Sequence, residues 1–403
     1  MKNECLTPRE PSVERGVDES RAAAEMRLSP RQCCAALVIT AALFYVIPQA
    51  WERIEPLQIG AGYRIPYRLG NDYWQYERTC RAAVGGDQTL LVGDSVIWGH
   101  YVSTRGTLSH YLNERAGSER FVNLGVDGVH PAAMAGLVEY YGGAIRGRRV
   151  IVNCNLLWMS SPRHDLSATK EATFNHPALV PQFSPWISCY RAPLSQRVGA
   201  VVGRRVPLLG WADHLRIAYF DSEDLATWTL ERPYRNPLGG LSAALPSPDE
   251  PPSPPPDARP WTAKGITRFT PDWVPLDESL QWRFFQRTVR LLRERGNQVF
   301  VVVGPFNEHM LTEAGLRGYA KQKHQVAEWL AGEGIPHYVP PALESDLYAD
   351  ASHPTAAGYA ELARRLAEQP AFAEFCGEHR LRPPRVGVSR PASGGSWTVP
   401  RAV

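Results

Sequence analysis

"LLVGDSVIWGHYV", residues 90–102, decides how the rest of the chain is read. Leu90, Leu91 and Val92 run straight into Gly93-Asp94-Ser95, and Gly99 follows four residues after the serine. A short, continuous apolar run stopped by glycine is the pattern of a strand buried on both faces. Asp and Ser both favour turns, so a plain strand-end turn is one reading of Ser95. The other is a nucleophile held at the carboxyl edge of a sheet.

Five runs share this pattern: "TLLVG" (89–93), "RFVNLG" (120–125), "RVIVN" (149–153), "QVFVVVG" (298–304) and "IPHYV" (335–339). Helical patterns fall between them. "VHPAAMAGLVEYYGGAI" separates the second from the third, and "LDESLQWRFFQRTVRLLRERG" leads into the fourth. "RGYAKQKHQVAEWLAGEG" leads into the fifth and "TAAGYAELARRLAEQ" follows it. Gly296 and Gly334 stand where helix C-caps belong. The alternation predicts an α/β fold built on a doubly wound parallel sheet. Between the third and fourth runs, residues 156–277 are far longer than a crossover needs. They are rich in Trp, Pro and Arg and include "LPSPDEPPSPPPDARP" (245–260), a stretch that reads as extended or disordered. This insertion reads as a lid, a subdomain or a substrate platform.

The 403 residues are 44% hydrophobic and 21% charged, an ordinary globular composition. A net charge of +3, with no Lys/Arg cluster interleaved with aromatics, argues against nucleic acid as a partner.

Residues 1–32 are polar, of mixed charge and without apolar periodicity, and are expected to be disordered. "CCAALVITAALFYVIPQAW" (33–51) carries no charge and ends in Trp51 with Tyr45 nearby, which suits a membrane-spanning helix with interfacial aromatics. Arg27 and Arg31 before it bias the leader toward the cytoplasm, and the bulk of the chain then lies outside the cytoplasm, periplasmic or at the cell surface. A cleaved signal peptide competes, but the leader is long and Pro48-Gln49-Ala50 is a poor cleavage site. A buried core helix is the plainer alternative. Residues 52–84 read as a juxtamembrane connector, 85–375 as the folded α/β domain with the insertion 156–277, and 376–403 as a disordered tail.

Of seven cysteines, Cys5 lies in the leader and Cys33 and Cys34 in the span. Cys80, Cys154, Cys189 and Cys376 remain, enough for two disulfides in an oxidising compartment or for buried free thiols. No spacing suggests a metal, and no cofactor is expected.

In open α/β sheets the ligand crevice lies beyond the carboxyl ends of the strands. Ser95 ends the first run there, "NLGVDG" with Gly128 follows the second, and Asn153 and Asn155 end the third. "YADASHPTAAGYAEL" after the fifth places Asp350 and His353 just before the last helix.

This set resembles the SGNH (GDSL) hydrolase family. Gly93-Asp94-Ser95 with Gly99 matches its first block, and "VNLGVDG" through Gly128 its second. Asp350-x-x-His353, with Pro354 and Gly358-Tyr359, matches its last. The third block departs: the usual Gly-x-Asn-Asp is Asn153-Cys154-Asn155-Leu156, which keeps only the key asparagine. The match covers roughly residues 85–375 around the insertion. The resemblance implies a flavodoxin-like three-layer α/β/α sandwich and serine-dependent acyl-ester chemistry.

Serine is a weak nucleophile at neutral pH and needs an adjacent base. His353 fits that role, with Asp350 accepting its other ring N–H. The backbone N–H groups of Ser95 and Gly128 and the amide of Asn155 are the candidate oxyanion donors. Asp94 reads as a residue that holds the turn. Asn307, Glu308 and His309 follow the fourth strand and either line the crevice or cap a helix. His164, His176 and His214 lie in the insertion without ligand spacing. Trp186, Trp211 and Trp261 read as subdomain core or as sugar-stacking platforms.

The expected activity is hydrolysis of an acyl ester, acetyl above all, on a glycan or small molecule. An O-acyltransferase acting on an envelope or exported polysaccharide, with a membrane partner supplying the acyl group, is the alternative. An inactive domain that only binds acylated glycan is the third reading, motivated by the altered third block.

Overall fold

The computed structural model describes residues 29–60, 62–235 and 245–377. The leader through residue 28, Cys5 within it, and the tail from residue 378 lie outside the described residues. The chain divides into two compact units, one ending at Arg53 and the other beginning at Ile54.

Helix α1 (Pro30–Ile54) contains the whole uncharged stretch 33–51 and is long and apolar enough to cross a membrane. In the second unit, α2 (Tyr73–Ala83) precedes β1 (Thr89–Val92). The four-residue α3 (Ser95–Trp98) and α4 (Leu108–Ala116) lead to β2 (Phe121–Asn123). Then come α5 (Pro131–Tyr140) and β3 (Arg149–Cys154). Three helices follow, α6 (Leu194–Gly203), α7 (Pro207–Tyr219) and α8 (Leu225–Glu231). The order resumes with α9 (Leu280–Glu294), β4 (Gln298–Val303), α10 (Glu313–Gly332) and β5 (His337–Tyr338). It closes with α11 (Ala356–Ala367) and α12 (Pro370–Phe375).

All five strands are parallel, in the order β2-β1-β3-β4-β5. Side chains alternate across a strand, so an unbroken apolar run is stable only where both faces are covered. Leu90, Val92, Val150, Val152, Val299 and Val301 join one buried cluster with residues of α2, α5, α9 and α10. Leu91, Ile151, Phe300 and Val302 join another with residues of α4, α11 and α12.

Residues 52–84, expected as a connector, supply α2, whose Tyr76, Cys80 and Ala83 are part of the first cluster. Among the described residues the disulfides left open in the sequence do not form: Cys80, Cys154, Cys189 and Cys376 are free and buried. The stretch 245–260 adopts no helix or strand. It lies along the second unit, where Arg64 donates to Pro248 O at 3.0 Å and Thr104 N–H to Asp249 at 2.7 Å.

Candidate active site

The apolar run of β1 stops at Gly93, where a Cβ would stand 2.3 Å from Ile97 Cγ1, so only glycine lets α3 fold back this closely. Asp94 then caps α3 by accepting from Val96 N–H at 2.9 Å. Ser95 becomes the first residue of a helix too short to hold itself together. Ser95 O accepts Gly99 N–H locally, but the next three carbonyls are satisfied from far away in the chain. Tyr359 Oη donates to Val96 O at 2.6 Å and Asn123 Nδ2 to Ile97 O at 2.7 Å. Arg64 Nη1 donates to Trp98 O and Gly99 O at 2.9 and 2.7 Å, with its guanidinium 3.9 Å above the Trp98 ring.

Ser95 Oγ lies 2.7 Å from His353 Nε2. The other ring nitrogen, Nδ1, is 2.8 Å from both carboxylate oxygens of Asp350. Asp350 Oδ1 also accepts the backbone N–H groups of Ser352 and His353 at 2.9 Å, and Tyr101 Oη donates to Oδ2 at 3.0 Å. Burial would raise the Asp350 carboxyl, but the His353 ring and these N–H donors hold it well below the usual carboxylate range. Burial would lower His353; the Asp350 carboxylate, reinforced by Asp94 and Asp127, outweighs it and raises the imidazole above its ordinary value. A hydroxyl, an imidazole and a carboxylate in this series can pass the serine proton to the ring as an electrophile is attacked.

Among the described residues, no acceptor takes the N–H of Ser95 or of Gly128. Gly128 sits at φ +72°, and a Cβ there would stand 2.4 Å from Asn175 Nδ2. Asn155 Nδ2 donates to Asp94 Oδ2 at 2.8 Å, the oxygen that also accepts Trp158 Nε1 at 2.8 Å. Asp94 thus holds its own turn and also orients the end of β3. Burial raises its pKa against these three donors.

The remaining candidates have other contacts. Asn153 Nδ2 donates to Gly304 O at 2.6 Å, tying β3 to the end of β4. Asn307 supports the carboxylate turn, its Nδ2 donating to Asp350 O at 3.1 Å and its N–H to Ala351 O at 2.8 Å. His309 Nε2 meets Leu343 O at 2.9 Å, and Glu308 pairs with Lys323 at 2.7 Å. Neither bonds to Ser95, His353 or Asp350. His164 pairs with Ser160, His176 with the Asp127 carbonyl and Tyr73, and His214 with Asp72 and Glu55. Trp261 is buried and donates to Ser345 O, whereas Trp186 is exposed.

Sequence reasoning missed Tyr101, Trp158 and the His100–Asp127 pair. Tyr101 lies in the opening stretch, six residues past Ser95, but nothing local marks its contact with residue 350. His100 Nδ1 is 2.7 Å from Asp127 Oδ1, and its ring centroid is 5.6 Å from that of His353. Asp127 also lines a cavity of about 660 Å³ shared with Tyr67, Arg68, Phe174 and Asn175. Among the described residues, no group of three or more His, Cys, Asp or Glu side chains is arranged to hold a metal ion. No family model matches this chain, and no curated protein does.

Proposed function

We propose that the chain is a membrane-anchored serine esterase of SGNH type that cleaves an acyl ester through an acyl-Ser95 intermediate. The observation that carries this is the 2.7 Å approach of His353 Nε2 to Ser95 Oγ, continued through Nδ1 to Asp350. His353 takes the Ser95 proton as Oγ attacks the ester carbonyl carbon. The carbonyl electron pair moves onto oxygen, where the N–H groups of Ser95 and Gly128 and the free amide hydrogen of Asn155 are the proposed donors. His353 then returns the proton to the departing alcohol as the C–O bond breaks. A water molecule, deprotonated by His353, attacks the acyl carbon; as the bond to Oγ breaks and the acid leaves, His353 returns that proton to Ser95 Oγ. A sugar hydroxyl in place of that water makes the same machinery a transferase. With α1 as the anchor, the catalytic domain lies on the extracytoplasmic side.

The test is labelling of the full chain with a fluorophosphonate. Modification of Ser95 that is lost in His353→Ala supports the reading, and an unlabelled Ser95 in folded protein sinks it. Turnover of p-nitrophenyl acetate with and without an oligosaccharide separates hydrolysis from transfer: acetyl accumulating on sugar faster than in water would make the protein a transferase.

A further inference from the structure

Helices α6 and α8 carry apolar side chains that nothing among the described residues covers. Leu194, Val198, Val201 and Val202 occupy one face of α6, at the i, i+4, i+7 and i+8 spacing of an amphipathic helix. They are 69, 44, 37 and 41% exposed. Leu225 and Leu230 of α8 are 64 and 81% exposed. Isolated exposed apolar residues are ordinary, whereas a continuous helical stripe marks a contact surface. Arg191 and Arg205, both exposed, flank α6 at its two ends, an arrangement that suits lipid headgroups around an apolar helix face.

These helices are also tied to the residue that follows α1. Glu55 accepts from Tyr219 Oη at 2.5 Å and lies 3.0 Å from His214 Nε2, both on α7. Arg78 of α2 closes on Glu55 from the other side, and Asp72 lies 2.6 Å from His214 Nδ1. Glu55, Asp72, Arg78 and His214 are all buried, so α7 is fastened to Glu55 rather than resting beside it. Trp51, which ends the uncharged stretch, is four residues before Glu55. Four residues reach about 14 Å at full extension. A bilayer that holds α1 up to Trp51 therefore has Glu55 within that covalent reach of its surface; Glu55 bonds α7, and α6 packs on α7 through a connection of only residues 204–206.

We propose that the stripe on α6, with Leu225 and Leu230 of α8, rests in the interfacial layer of the same membrane that α1 enters. The occupant of this surface is lipid, and the three helices form a second, peripheral contact that limits how the catalytic domain can tilt. The proposal rests on α1 spanning a membrane and is independent of the esterase chemistry.

The experiment uses the full chain, with Cys5, Cys33 and Cys34 replaced by serine, reconstituted in nanodiscs of phosphatidylcholine and phosphatidylglycerol. Nitroxides are attached through Leu194→Cys, Val198→Cys and Leu230→Cys, with Lys321→Cys on the exposed face of α10 as a water-facing reference. The ratio of relaxation by oxygen to relaxation by a nickel chelate is expected to be severalfold higher at the three test sites than at residue 321. A ratio equal to that at residue 321 would overturn the proposal, because the stripe then faces water. Low accessibility to both relaxants would also overturn it, in favour of cover by another part of this chain or by a second copy. A chain that nanodiscs fail to retain would remove the proposal together with the spanning reading of α1, leaving the Ser95 chemistry untouched.

Discussion

The amide of Asn155 is held by the carboxylate of Asp94, across 2.8 Å between residues 61 positions apart. That contact takes one of the two N–H bonds of the amide. With leucine at 156, the asparagine is braced from a distance instead, by an Asp94 oxygen that the Trp158 indole also binds.

Asn155→Ala is expected to lower kcat for p-nitrophenyl acetate by about 10²–10³, the usual cost of one oxyanion donor. KM should change little. Trp158→Phe, which removes the other donor to the same oxygen, should cost far less. Equal losses in the two variants would assign Asn155 to bracing alone.

Activity should have an acid limb set by His353, which must be neutral to accept the serine proton. Its pKa is raised, so kcat/KM should fall as pH drops through a value above the ordinary 6.5 of histidine. Asp350→Asn removes the chief cause of the raising. It should move the limb to lower pH and cut the plateau by roughly 10⁴ through loss of the correct tautomer. A limb that stays in place would disconnect the two residues.

The buried pair of His214 with Asp72 and Glu55 makes a separate prediction about stability. Burial lowers His214, but the two carboxylates outweigh it and raise it to about 9. A group with a raised folded pKa stabilises fully below its unfolded value, here 6.5, and loses that contribution as pH climbs through the folded value. Unfolding of the full chain in urea should therefore become easier between about pH 6.5 and 9, by roughly 3 kcal/mol. In His214→Gln that decline should vanish; the same slope in both proteins would exclude His214 as its source.

The thiols offer a fourth test. Burial pushes Cys80 up to about 12 and Cys376 up to about 11, and it raises Cys154 and Cys189 as well. All four should resist a thiol reagent in the native chain, react once it is denatured, and leave the melting temperature unchanged when reductant is added. A reductant-dependent melting temperature would reveal a disulfide.

The strands were legible because Leu90 through Val92 and their counterparts are covered on both faces, which leaves an unbroken apolar run as a local signal. Ser95, Asp350 and His353 were legible because each ends or follows such a run. Helix α2 was not: it buries Gln75, Arg78 and Thr79, polar residues that make its sequence look like a connector. Arg78 is buried with Glu55, Gln75 and the Trp74 ring as its partners. His214 was unreadable for the same reason, since its partners lie 142 and 159 residues away. Tyr101 and Trp158 likewise gain their places only through long-range contacts. Apolar burial leaves a periodic trace in the local sequence, whereas buried polar pairs leave theirs only in three dimensions.

The carbonyls of Val96, Ile97 and Trp98 in α3 depend on Tyr359, Asn123 and Arg64, and Ser95 Oγ meets His353 across 258 residues. Two of these four, His353 and Tyr359, come from one late stretch of chain. During synthesis from the N-terminus, Ser95 therefore stands on an unsupported turn with no imidazole beside it until residues 350–359 have arrived and docked. The Ser95–His353–Asp350 contact thus exists only in the completed fold, and a nascent or partly unfolded chain does not hold it.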